Sequence, residues 1–142
     1  MKKQINFIMV DFVIEGKNFD IEQLTKEIEV APSQIRGIDD WPEAIKNNKN
    51  LPEELKSRCE WSICQKEEFC RQIEIPINKI IAKLKGKEQK IMKFCADHEL
   101  RKGLCITIQA EAMNMPEIVL SSDIVSYFGS LKAEISFNIY SL

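Results

Sequence analysis

The sequence predicts an α+β domain with a mainly antiparallel sheet and helices packed on one face. Three observations predict it. Alternating apolar stretches recur at residues 5–14, 59–65, 104–112 and 133–140, with the two-residue period of strands. Stretches with helical period, 21–29, 77–100 and 122–131, fall between them. Listing a short strand at 117–120 as well, the order is β-α-β-α-β-β-α-β, for which helices on one face of the sheet is the economical packing. A chain of 142 residues, 44% hydrophobic and 30% charged, is one globular domain, here 1–142.

The first strand reads INFIMVDFVI. Ile8, Val10, Phe12 and Ile14 share one face; Ile5, Phe7, Met9 and Val13 share the other, with Asp11 the exception. Apolar character on both faces marks a central strand. Gly16 and Asn18 turn the chain. Asp20 then caps a helix, with Gln23 at capping-box spacing and Ile21, Leu24 and Ile28 on its apolar stripe. Ala31-Pro32-Ser33 ends it, since a residue before proline avoids the α region. Residues 33–57 form an irregular loop, with Gly37, Pro42, Pro52 and the polar run 46–50, and one helical turn after Pro52. Trp41 is its one aromatic residue. Loops of this length are often functional.

In CEWSICQ, Cys59, Trp61 and Ile63 oppose Glu60 and Ser62, a half-buried strand. Pro76 opens the longest helix. Its stripe is Ile77, Ile80, Ile81, Leu84, Ile91, Cys95 and His98, with a kink or break expected at 85–88 around Gly86. The strand at 104–112 buries Leu104, Ile106, Ile108 and Ala110. After the turn at Met115-Pro116 and the short strand, Ser121 or Ser122 caps a helix carrying Ile124, Val125, Phe128 and Leu131. The last strand turns Ala133, Ile135, Phe137 and Ile139 inward. The strand–cap–helix–strand pattern near both ends suggests two degenerate β-α-β halves.

The formal charge of −2 excludes a global attraction to nucleic acid or anionic lipid. The longest apolar run, Phe7 to Val10, is far short of the roughly 18 residues of a membrane span, and no signal peptide is legible. A cytoplasmic location is expected. Five cysteines, an odd number, read as free thiols of a reducing compartment. Cys59, Cys64 and Cys70 lack the short spacing of zinc ligands, so no metal or other cofactor is expected. His98, three residues after Cys95, falls on the same helix face, which leaves a thiol-dependent enzyme using Cys95 or Cys64 with His98 as one alternative. No phosphate loop and no paired-carboxylate motif is present.

Charge is segregated. Residues 79–102 carry eight Lys/Arg against Glu88, Asp97 and Glu99, a net of +5, which leaves nucleic-acid binding through this Lys-rich helix as a second alternative. Residues 11–43 carry nine Asp/Glu against Lys17, Lys26 and Arg36, a net of −6. The acidic end of that stretch enters the irregular loop. Asp39, Asp40, Trp41 and Glu43 are therefore the candidate partner-binding residues, suited to attract a basic protein.

Several local patterns occur together in order: Glu15-Gly16, Phe19-Asp20-Ile21-Glu22-Gln23-Leu24-Thr25, Ala31-Pro32-Ser33, Cys59-Glu60-Trp61-Ser62, and Met115 through Ser121. In this the chain resembles a bacterial family of domains of unknown function, number 4279, along nearly its whole length. The loop at 38–58 departs from the family pattern in being longer and more charged. The resemblance implies no catalytic residues. It implies a small protein encoded near polymorphic-toxin loci, some members of which look like immunity proteins. The expectation is a non-enzymatic protein-binding domain, an immunity protein that binds and neutralises a cognate bacterial toxin.

Overall fold

A computed structural model describes residues 5–142; the basic start of the chain, residues 1–4, lies outside the described residues. The elements are β1 (Phe7–Gly16), α1 (Ile21–Ile28), β2 (Gln34–Arg36), α2 (Glu43–Lys46), β3 (Cys59–Glu68), α3 (Glu74–Leu84), α4 (Glu88–Asp97), β4 (Arg101–Ala110), α5 (Ser122–Ser130) and β5 (Glu134–Ser141). Short 3₁₀ turns stand at Ile38–Asp40, Glu53–Leu55 and Ala112–Asn114. The five strands form one sheet in the order β2-β3-β1-β4-β5. The pairs β1–β3, β1–β4 and β2–β3 are antiparallel, and β4–β5 is parallel. The architecture is the expected α+β one.

β1 is the central strand its two-sided pattern predicts, running between β3 and β4. Ile8, Val10, Phe12 and Ile14 face the helices and are fully buried, beside Trp61 and Ile63 of β3 and Leu104, Ile106 and Ile108 of β4. Leu24 and Ile28 of α1, Ile77, Ile80 and Leu84 of α3, Ile91 and Phe94 of α4 and Ile124 and Phe128 of α5 complete this single cluster. Periodicity dictates each contribution. One helical stripe and one strand face are apolar, and only layering them removes both from water.

The termini follow local chemistry. Asp20 accepts from the Gln23 backbone N–H at 3.1 Å, as expected, but the Gln23 side chain donates forward to Glu27 at 3.1 Å, so the reciprocal half of a capping box is not made. Ser121 rather than Ser122 caps α5, accepting from the Ile124 N–H at 3.3 Å. The break at 85–88 separates α3 from α4, with Gly86 at φ +87, a conformation that strains any residue with a Cβ. On α4, Phe94 takes the buried position assigned to His98, and His98 stands exposed at the C-cap.

Three further differences bear on function. Within the expected loop, Gln34–Arg36 forms a short edge strand on β3. At 117–120 a single bridge, Glu117 to Gln72, takes the place of a strand. On β5, Phe137 and Ile139 remain 37% and 48% exposed although they lie on the helix side, because β5 is the end strand of the sheet. The two β-α-β stretches also differ in pairing: β1 meets β3 antiparallel, whereas β4 meets β5 in parallel.

Candidate functional site

The helices cover one face of the sheet only. The opposite face is built by the alternate residues of every strand, and the register sets its rows. Asp11 lies between Cys64 and Cys105, Val13 between Ser62 and Gly103, and Met9 between Lys66 and Thr107. Phe7, Met9 and Val13 are half-buried here, shielded by neighbouring strands and not by another layer. The Lys66 ammonium sits 4.5 Å from the centre of the Phe7 ring.

Asp11 is the polar centre of this face. Burial is the main influence on its carboxyl and pushes its pKa above the ordinary 3.8, partly offset by a hydrogen bond from the Cys64 thiol. Between 3.8 and that raised value the folded chain holds more protons than the unfolded one, so stability falls as pH rises through this window and stays lower above it. Asp11→Asn keeps an acceptor for the thiol and removes the charge. It is therefore expected to raise the melting temperature at pH 7, with the gain shrinking as the pH approaches 3.8. Thermal melts of both proteins across pH check this. A less stable variant at pH 7 contradicts it.

Acid and base converge where β1 ends and β3 and β4 begin. Glu15 and Glu60 face each other across β1–β3, and Arg58 bridges them, its Nε 2.9 Å from Glu15 and 3.1 Å from Glu60. A cleft of about 790 Å³ opens there, lined by Gly16, Lys17, Glu53, Arg58 and Arg101 among others. A second, of about 390 Å³, continues onto the open face past Val13, Gly103 and Ser136; Gly103 offers no side chain to fill it. Glu15, Arg58 and Arg101 line both, so a single groove runs from the loop onto the sheet.

The irregular loop forms the rim of this groove, and Trp41 fastens it. Its indole N–H donates to the Arg58 carbonyl at 2.7 Å. The Arg36 guanidinium lies 3.6 Å from the ring centre and that of Arg58 5.3 Å. Of the four sequence-derived candidates, Trp41 is thus half-buried and anchored, while Asp39, Asp40 and Glu43 are exposed beside it. Asp40 also accepts from the Gly37 N–H at 2.6 Å, closing the turn. Sequence reasoning brought these four together but missed Asp11, Val13, Arg58 and Arg101. The usable signal was Asp11, the one charge interrupting a two-sided apolar strand.

The two thiols the sequence offers for nucleophilic chemistry, Cys64 and Cys95, are poorly placed for it. Burial, followed by the hydrogen bond to Asp11, pushes Cys64 up to about 11. Burial alone pushes Cys95 up to about 11. Both keep their protons at neutral pH. Cys64 faces the open side of the sheet, whereas His98 belongs to the helical side, stacked on Phe94 at 4.1 Å with Nδ1 2.9 Å from the Phe94 carbonyl. Among the described residues no group of three or more His, Cys, Asp or Glu side chains is gathered to hold a metal ion. The Lys-rich helices are partly neutralised within the fold: Lys87 pairs with Glu29 at 3.3 Å and Lys79 with Glu67. One of these pairs, Lys87 with Glu29, joins the basic and acidic blocks of the sequence directly.

This arrangement defines a two-layer α+β protein, one sheet face packed by helices and the other open. The chain belongs to the family described as Domain of unknown function (DUF4279), whose model matches residues 3–142. No curated protein and no solved structure matched it.

Proposed function

We propose that this chain is a non-enzymatic protein-binding domain whose partner docks on the open sheet face and the acidic rim beside it. The carrying observation is that face itself. Half-buried Phe7, Met9 and Val13 alternate with Asp11, Lys66 and Thr107 on a surface that no helix among the described residues covers. Apolar patches interleaved with polar groups, rimmed by charge, are the chemistry of a protein interface. Asp39 and Glu43 on the rim supply a field that draws in a basic partner.

The finer reading is an immunity protein that binds and neutralises a cognate bacterial toxin. The family resemblance and the charged loop support it. A cytoplasmic setting belongs to the same proposal, supported by five cysteines of which none is paired. No helix among the described residues is long and apolar enough to cross a membrane.

The test uses the product of an adjacent toxin-like gene, mixed with the purified chain. A complex is expected at or below about 1 µM. Val13→Glu, which places a charge in the middle of the open face, is expected to weaken it at least about tenfold. The double variant Asp39→Lys, Glu43→Lys is expected to slow association and flatten its dependence on salt. No complex at about 10 µM, or full affinity of a folded Val13→Glu protein, overturns the reading.

A further inference from the structure

The two ends of the sheet are built differently. β2 is a three-residue edge with the irregular loop beside it. β5 is an eight-residue edge in unbroken register with β4 from Gly103–Glu134 to Ala110–Ser141. Every second residue of β5 turns its N–H and C=O away from β4, and no described strand lies on that side. Natural edges are usually blunted by proline, lysine, a bulge or a covering helix. Between residues 134 and 141 there is neither proline nor lysine, the ladder has no bulge, and Phe137 and Ile139 remain 37% and 48% exposed. Tyr140 is 55% exposed on the other side.

We propose that β5 is a homotypic docking edge: two copies of this chain pair antiparallel along it and join their sheets into one. The sequence of the strand fits itself under a two-fold axis. With the axis at Phe137, Phe137 meets Phe137, and Ile135 of each copy meets Ile139 of the other, all on the helix side. Ser136 meets Asn138 on the open side. The single charge of the strand, Glu134, falls opposite Tyr140 and never opposite itself. A strand with so little charge has no electrostatic handle for a charged foreign segment, whereas its own copy satisfies both its backbone and its apolar side chains. The contact spans about 24 Å of strand, small for an interface, which sets the expected affinity in the micromolar range.

Sedimentation velocity and light scattering of the full chain over a concentration series test this. The expected result is a species of twice the 16.4 kDa chain mass, dominant by about 100 µM. Ile139→Lys and, separately, Phe137→Lys are expected to give monomers at the same concentration with unchanged circular dichroism, since both side chains are already part-exposed. Val13→Lys, on the open face, is expected to leave the dimer intact. A wild-type chain that stays at 16.4 kDa throughout overturns the proposal. So does a folded Ile139→Lys variant that dimerises like wild type, or a dimer lost in Val13→Lys and kept in both β5 variants.

Discussion

Replacing Trp61 by alanine is expected to cost the fold about 3–5 kcal/mol, the range for deleting a large aromatic side chain from a packed core. Trp61 is fully buried on the helix side of β3, where the register sets it beside Ile14 of β1 and Ile35 of β2. Its indole N–H donates to the Thr25 hydroxyl at 3.1 Å, and that hydroxyl donates in turn to the Ile21 carbonyl at 3.1 Å. One side chain thus fills the space between sheet and α1 and ties the two by a hydrogen bond. Alanine leaves a void which the flanking strands cannot close without breaking their ladders. The melting temperature should fall by roughly 10–20 °C. Trp61→Phe separates the contributions: it keeps most of the volume, loses the bond to Thr25, and should cost only about 1–2 kcal/mol. Urea titrations of the three proteins measure both effects. A loss below about 1 kcal/mol in Trp61→Ala would show that this corner of the core is not packed as described.

Patterns that depend on a period of two or 3.6 were legible in the sequence because they are local. The parity of Ile8, Val10, Phe12 and Ile14, the cap at Asp20 and the break at Gly86 each need only a few neighbouring residues to be read. What a strand face meets is not local. Phe137 and Ile139 have the same alternation as Ile106 and Ile108, yet they stay part-exposed because β5 ends the sheet. Likewise the second face of β1 is apolar without being covered, its shielding coming from β3 and β4 on either side. Pairing sense was equally hidden, since a helix between two strands permits either direction and only the path of α5 makes β4 and β5 parallel. At the candidate site, composition singled out the loop and its acids, but Arg58, just before β3, and Arg101, at the start of β4, reach the groove from 43 positions apart. Glu29 and Lys87 likewise read as members of opposing charge blocks until folding sets them 3.3 Å apart.

The second large effect is expected at Trp41, and it should be local. Removing this side chain deletes the hydrogen bond to the Arg58 carbonyl and the stacking of Arg36, together worth roughly 2 kcal/mol at a half-buried site. Beyond Ile38, which packs against the core, few other contacts hold this segment: Asp39, Glu43, Asn48 and Lys49 are exposed, and β2 contributes only three residues of ladder. A loop whose opening is limited mainly by Trp41 should open more often by the exponential of the energy lost, so cleavage by trypsin at Lys49 is expected to accelerate roughly 30-fold in Trp41→Ala. The global melting temperature should fall much less than in Trp61→Ala, because the core cluster does not include Trp41. Arg36→Ala should give an intermediate rate, losing the stacked cation while the indole bond to Arg58 remains. Trp41→Phe should resemble it, since the ring still stacks but donates nothing. Timed digestion with mass spectrometry of the fragments reads all three. Cleavage at Lys49 that is as slow in Trp41→Ala as in wild type would mean that another contact holds the rim in place, and the groove it borders would then not owe its shape to this side chain.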